Sequence, residues 1–402
     1  MREAFIEEKI PTYIRDICHR FYNAGEDAYV VGGSLRDIML GRLPNDFDLA
    51  TSALPAKTAE LFSDKRVIET GIKHGTVTVI ADGFPVEITT FRIDGSYTDS
   101  RHPDGVCFTG RVEEDLSRRD FTVNAMAYND RVGLVDPFGG CIDLDKRIIR
   151  AVGDSRRRFS EDALRIMRAF RFSAQLGFSI DEDTLSGAVE CKDGLANIAR
   201  ERIAAEFLKL VTSDNACDVI SLMAKFGILS YITGEYSPKA DTVSLLCRMP
   251  ADAGARLGFF LSDADETEAR EVLRALKYSN ALITAAAAVV RGSRFAVTDP
   301  SDARRLIGNC GAYAENAANA SVIRGISHPD APTWVKGNTA PCKLSDLAVS
   351  GRDLMAMGIQ GRDVGRILNL LLSRVLETPE LNEKHKLTEL ALEYIREGGE
   401  NA

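Results

Sequence analysis

Ala28-Tyr29-Val30-Val31-Gly32-Gly33-Ser34-Leu35-Arg36-Asp37, followed by Asp46-Phe47-Asp48-Leu49-Ala50-Thr51, is the stretch that decides the fold. Four apolar residues end in a glycine pair, and helical periodicity begins at once through Leu40. This is a strand, a tight turn and a helix start. A glycine pair at that junction lets backbone amides approach phosphate oxygens, and the helix N-terminus adds positive potential. Arg36, one turn into the helix, is placed to cover the same phosphates. Asp46-Phe47-Asp48 reads as the start of a second strand, on which residues i and i+2 share a face, so two carboxylates are presented together. Two such acids repel each other unless a cation lies between them. Paired carboxylates beside a phosphate cradle suit Mg²⁺-dependent phosphoryl or nucleotidyl transfer. Glu87, within Pro85-Val86-Glu87-Ile88-Thr89-Thr90, is the candidate third acid on a neighbouring strand. The alternative is an ordinary turn beside a solvated strand edge.

Outward from this core, Thr76–Ile80, Val86–Thr90 and Cys107–Thr109 supply further β-branched runs, and residues 2–24 read as one helix stopped at Gly25. Strands mixed with helices, without a regular βαβ period, predict an α+β fold with a mixed sheet at the N-terminal end. Beyond residue 155 the strand signal ends. Phe159–Leu176 and Ala199–Val211 carry long amphipathic helical patterns, and similar segments follow to residue 325. Pro329, Pro332 and Pro341 break the texture over 328–342, and a last helical block runs 344–397.

The 402 residues, 45% of them hydrophobic with a net charge of −9, exclude a disordered chain and allow several cored domains. No uncharged apolar run reaches the roughly 18 residues of a membrane span, and the charged N-terminus has no apolar signal region. Eight cysteines (18, 107, 141, 191, 217, 247, 310 and 342) occur without a CxxC pair, which predicts reduced thiols and a cytoplasmic protein. The acidic total hides a basic island. From Lys146 to Arg171 there are nine Lys/Arg against three acids, the natural seat for a polyanion.

The pattern Gly32-Gly33-x-x-Arg36-Asp37-x-x-Leu40-Gly41-x-x-x-x-Asp46-x-Asp48-x-Ala50-Thr51 resembles the first motif of the class II tRNA nucleotidyltransferase and bacterial poly(A) polymerase family. Leu35 stands where valine is usual, a conservative apolar change. Arg118-Arg119-Asp120-Phe121-Thr122-Val123-Asn124-Ala125-Met126-Ala127 is similar to the second motif. Asp136-Pro137-Phe138-Gly139-Gly140 through Val152-Gly153 is similar to the third. Arg158-Phe159-x-Glu161-Asp162-Ala163-Leu164-Arg165-Ile166-Met167-Arg168-Ala169-x-Arg171-Phe172 is similar to the fourth, and Glu201-Arg202 to Glu206 to the fifth.

The resemblance implies a two-ion Mg²⁺ site on Asp46 and Asp48 with Glu87 as third acid, and nucleotide binding by Gly32, Gly33, Arg36 and Arg119. It further implies that Asp162 and Arg165 select CTP or ATP by hydrogen bonds to the base edge, while Arg168 and Arg171 continue the basic edge and support either that pair or the phosphates. Read as an i, i+3 pair on one helix face, Asp162 and Arg165 offer an acceptor beside a donor fork. Rejection of a wrong base would come from leaving buried polar groups unpaired. The loop Arg92–Asp104 resembles the full-length flexible loop of CCA-adding members. His74 and His102 have no partner at metal-ligand spacing and read as hydrogen-bonding residues. In the tail, Gly358, Gly361, Arg362 and Gly365 form a glycine turn ahead of a helix, implied to hold tRNA phosphate without reading sequence.

The implied organisation is a nucleotidyltransferase head over 1–140, a base-recognising neck over 141–228, a helical body over 229–330 and a helical tail over 331–402 gripping the tRNA elbow. The implied activity is template-independent addition of C, C and A to the tRNA 3′ end from CTP and ATP, with tRNA rather than DNA as partner. A CC-adding or A-adding enzyme and a poly(A) polymerase are the alternatives inside the family. Gly71-Ile72-Lys73-His74-Gly75-Thr76-Val77-Thr78 and the lack of an Arg/Lys-rich tail argue against the last. An RNA-binding protein that has lost catalysis is the alternative outside it, and it predicts a broken acid set, whereas all the acids are present.

Overall fold

The computed structural model describes residues 2–69, 71–72, 75–94 and 106–399. It divides into two compact units, Met1–Leu210 and Val211–Ala402.

In the first unit, Pro11 splits the expected N-terminal helix into α1 (Arg2–Lys9) and α2 (Thr12–Asn23). Proline lacks the N–H that a continuous helix needs, and its fixed φ suits the residue before a new one. Ile14, Ile17, Cys18 and Phe21 are buried along one face of α2, at the spacing of a helix stripe. Then come β1 (Ala28–Val31), α3 (Gly32–Met39), β2 (Asp48–Thr51), α4 (Pro55–Leu61), β3 (Arg66–Ile68), β4 (Thr76–Ala81) and β5 (Phe84–Thr90). Next are β6 (Arg92–Asp94), β7 (Val106–Phe108), α5 (Val112–Ser117), β8 (Ala127–Asn129) and β9 (Gly133–Val135).

The main sheet has seven strands in the order β3-β4-β5-β2-β1-β8-β9. Its neighbours are antiparallel except β2 and β5, which run parallel and set Asp48 opposite Glu87. The mixed sheet expected from the sequence is thus present. Tyr29, Val31, Ala50, Phe91, Leu116, Ala125 and Ala127 are buried together in one core cluster of this unit. That burial anchors the strand ends from which the site projects. Of the loop Arg92–Asp104, only Arg92–Asp94 is described, and it pairs with β7; His74 and His102 lie outside the described residues.

The rest of the first unit comprises α6 (Gly140–Lys146), β10 (Ile148–Ile149), α7 (Ser155–Glu161), α8 (Leu164–Leu176), β11 (Ser179–Ile180), α9 (Glu182–Glu190) and α10 (Arg200–Val211). Asp154 and Asp181 cap α7 and α9 by accepting hydrogen bonds from Arg157 N and Thr184 N.

The second unit is helical: α11 (Ala216–Lys225), α12 (Ser230–Thr233), α13 (Ala240–Leu245), α14 (Ala253–Phe260), α15 (Glu266–Ala275), α16 (Asn280–Gly292), α17 (Pro300–Cys310), α18 (Ala314–Ile323), α19 (Ala331–Lys336), α20 (Gly351–Ala356), α21 (Arg362–Glu377) and α22 (Lys384–Gly399). Asp252, Asp265, Ser279, Asp299 and Ser350 each cap a helix, which is why the helical texture of the sequence arrives in short pieces. The proline-rich stretch 328–342 is not wholly irregular, because Pro332 lies in the first turn of α19. Cores form around Val297, Leu306 and Ala317 and, separately, around Leu354, Leu371 and Leu387.

One expectation fails here. Cys217 and Cys247, thirty residues apart, form a disulfide with their Cα atoms 6.1 Å apart. The fold brings α11 against the turn that follows α13, a proximity with no CxxC signal to announce it. Among the described residues no helix is long and apolar enough to cross a membrane.

Candidate active site

β1 delivers the chain to the site in extended form at Val31, and the turn into α3 is made at Gly32, whose φ is +72°. An L side chain is strained there, and a Cβ would also stand 3.1 Å from Arg119 Nη1. The glycine thus permits both the turn and the close approach of an arginine. Arg36, one turn on, donates from Nε to Asp37 Oδ1 at 2.9 Å and from Nη1 to Asn124 Oδ1 at 2.7 Å.

Asp48 is the first residue of β2, and Asp46 lies in the bend before it. The expectation that both acids sit on one strand is corrected: only Asp48 is in the ladder, and the sheet begins too late to hold Asp46. The two nevertheless line one cleft. Partial burial and the negative charges of Asp46 and Glu87 push the Asp48 carboxyl up to about 6, against a weaker pull from Arg119. This is the signature of acids short of positive charge. Among the described residues, no three His, Cys, Asp or Glu side chains are arranged as a ready metal cluster. The hard oxygen donors of Asp46 and Asp48, with Glu87 beside them, match the chemistry of Mg²⁺.

The same cleft carries an arginine wall. Arg118 follows the end of α5, and Asp115, 1% exposed, holds both Arg118 (2.7 Å) and Arg119 (3.2 Å). Burial opposes the charge of Asp115, but the two guanidinium groups more than offset it and keep the carboxyl below its ordinary range. Asn124 Nδ2 donates to Asp120 Oδ1 at 3.2 Å, and Arg168 reaches Asp120 Oδ2 at 2.6 Å. Burial likewise works against ionised Asp120, and Arg168 outweighs it, so this carboxyl too lies low. A continuous chain Arg36–Asn124–Asp120–Arg168 therefore couples the glycine turn to α8.

The segment 159–176 is not one helix. Asp162, at φ −147° and ψ 103°, separates α7 from α8, and its Oδ1 accepts from Leu164 N at 3.0 Å. An aspartate that captures a backbone N–H two residues on competes with helix continuation, which explains the break. Asp162 and Arg165 therefore do not share one helix face as expected, although Arg165 N still donates to the Asp162 carbonyl oxygen at 3.0 Å. Asp162 Oδ2 is held by Arg202 at 2.9 Å, while Arg165 donates to Glu161 at 2.6 Å and to the carbonyl oxygens of Arg158 and Arg118 at 2.9 and 3.3 Å. Each is fixed by its own partners and neither neutralises the other. Arg171, 8% exposed, pairs with the buried Glu206 of α10.

The cleft lined by these groups has a volume of about 620 Å³. It collects Gly32, Gly33, Arg36, Asp46, Asp48, Arg119, Asp162, Arg165, Arg168 and Arg171. Glu87 is held beside it by its ladder position opposite Asp48. Phe172 and Lys209 also line it, without having been marked by the sequence as site residues. Asp115 was missed too, although an acid three and four residues before an arginine pair is a readable signal. Gly358, Gly361, Arg362 and Gly365 belong to the second unit. Gly358 (φ +89°) and Gly361 (φ +63°) turn the chain between α20 and α21, so the glycine turn expected there exists.

The family models that match describe a Poly A polymerase head domain over residues 28–150, an RNA and SrmB-binding site of polymerase A over 177–239 and a tRNA nucleotidyltransferase domain 2 over 255–391. A CCA-adding enzyme of Leuconostoc mesenteroides is 37% identical over 393 residues, 95% of this chain and 96% of the relative. One from Geobacillus kaustophilus is 35% identical over 92% of this chain and 94% of its own. Among solved structures, the CCA-adding enzyme of Bacillus stearothermophilus in complex with CTP superposes with a TM-score of 0.80 at 31% identity, covering 97% of this chain and 98% of that one. Matched to such relatives over more than nine-tenths of its length, the chain belongs to the family of CCA-adding enzymes, nucleotidyltransferases with a poly(A) polymerase-type head.

Proposed function

We infer that this chain is a CCA-adding tRNA nucleotidyltransferase that adds C, C and A to the tRNA 3′ end from CTP and ATP, with release of pyrophosphate and without a nucleic-acid template. The observation that carries this reading is one cleft in which carboxylates, a glycine turn, an arginine wall and two separately held base-edge groups meet. In it, Gly32, Gly33, Arg36 and Arg119 bind the triphosphate through backbone amides and guanidinium groups. Asp162 presents an acceptor and Arg165 a donor fork to the base edge, each oriented by its own partners. The same two side chains serve both nucleotides, so protein replaces template.

Asp46 and Asp48 would hold Mg²⁺, with Glu87 as third acid. When bound, the ions supply Lewis acidity toward the attacking 3′-hydroxyl and the departing pyrophosphate. The deficit of positive charge around Asp48 supports that assignment. We assign residues 1–140 to a catalytic head, 141–228 to a neck, 229–330 to a body and 331–402 to a tail. Gly358, Gly361, Arg362 and Gly365 of the tail offer backbone amides and one guanidinium to tRNA phosphate. A cytoplasmic location follows from the substrate.

Competition binding tests the single cleft. With Mg²⁺ present, CTP and ATP should displace each other from one site per chain. Independent binding at two sites would refute the shared-site reading.

A further inference from the structure

Three guanidinium groups of the cleft converge on one aromatic ring. The Cζ atoms of Arg36, Arg168 and Arg171 lie 5.2, 5.3 and 3.8 Å from the centroid of Phe172. They come from two helices, α3 and α8, and like charges so gathered repel. Each has an acidic partner on its own side: Asp37 for Arg36, Asp120 for Arg168 and Glu206 for Arg171. Asn124 and Asp120 link Arg36 to Arg168, whereas the ring is the one contact that all three arginines share. Phe172 is 6% exposed, and its ring meets Phe121 edge-on at 5.8 Å and 80°, so it does not swing freely. A ring face carries negative quadrupole charge that attracts cations, and the planar guanidinium stacks on it well. A leucine there would fill much of the space but offer neither property.

We propose that Phe172 is a positioning residue whose ring spaces Arg36, Arg168 and Arg171 as one receptor for the triphosphate that CTP and ATP have in common. The claim rests on the function inferred above. The ring's cation contacts are with Arg36, Arg168 and Arg171, so Phe172 acts on phosphate affinity and not on the choice of base.

The test replaces the ring in the full-length protein in two ways: Phe172→Leu, and 3,4,5-trifluorophenylalanine at position 172, which keeps shape while withdrawing charge from the ring face. KM for CTP and for ATP is measured with a tRNA lacking CCA, alongside calorimetric binding of inorganic tripolyphosphate. With three cation contacts weakened, both KM values should rise about tenfold and by the same factor, and tripolyphosphate should bind more weakly to a similar extent. The trifluorinated protein should show the effect with its melting temperature unchanged. If the trifluorinated protein keeps wild-type KM and tripolyphosphate affinity, the ring is packing only and the proposal falls. If the CTP/ATP ratio shifts instead, Phe172 belongs to base reading and the proposal also falls. A wild-type protein that transfers no nucleotide, yet loses tripolyphosphate affinity on fluorination, would overturn the inferred function and leave the ring's role standing.

Discussion

Replacing Asp48 by asparagine should make the metal-free protein more stable while removing its response to Mg²⁺. The carboxyl is pushed from 3.8 up to about 6 by partial burial and by Asp46 and Glu87. A carboxyl whose pKa is raised by folding binds its proton more tightly in the native state. Its stability contribution is therefore full at low pH and is lost as pH rises through about 6. At neutral pH the ionised group is a net cost. Taken whole, the displacement amounts to about 3 kcal/mol at about 1.4 kcal/mol per pH unit. Asp48 is open to solvent at the cleft, so screening reduces the effect to about 1 kcal/mol. In a unit spanning Met1–Leu210, that raises the melting temperature by about 2–4 °C. The assay is thermal unfolding in chelator at about pH 7.5 and about pH 5, repeated with Mg²⁺. The variant should lead at the higher pH, and its lead should shrink at the lower one. Mg²⁺ should stabilise wild type alone. A variant no more stable than wild type in chelator, or one that still gains equally from Mg²⁺, would refute the reasoning.

Asp120→Ala strands Arg168 inside the protein, and denaturant unfolding should report a loss of about 2–4 kcal/mol, less than for a fully buried pair because Arg168 is 35% exposed. Gly32→Ala puts a side chain at φ +72° and 3.1 Å from Arg119 Nη1, so it should cost about 1 kcal/mol in stability and raise KM for both nucleotides. Arg165→Ala should blur the choice between CTP and ATP in paired incorporation assays while leaving some transfer; unchanged selectivity would remove Arg165 from base reading.

Much of the site is legible in the sequence because it is built from local signals. Gly32 needs no neighbour to announce a turn, and Glu87 sits in a plain β-branched run that the parallel ladder then sets beside Asp48. What escapes is set by backbone competition or by distance. The helix break at Asp162 depends on a side chain outbidding the helix for the N–H of Leu164. The Asp162–Arg202 and Arg171–Glu206 pairs join residues more than thirty positions apart. Phe172 reads as an ordinary core aromatic until three arginines are found around it. The Cys217–Cys247 bond is hidden for the same reason, since only the packing of separate helices brings the two sulfurs together.

The most direct test of the account gives the purified protein a tRNA transcript lacking its 3′ CCA, with Mg²⁺, and sequences the products formed with CTP alone, ATP alone and both. The account predicts two C residues with CTP alone, a single A added only when ATP is also supplied, and then arrest. Arrest after CC in the presence of ATP, or a long A tail, would contradict it.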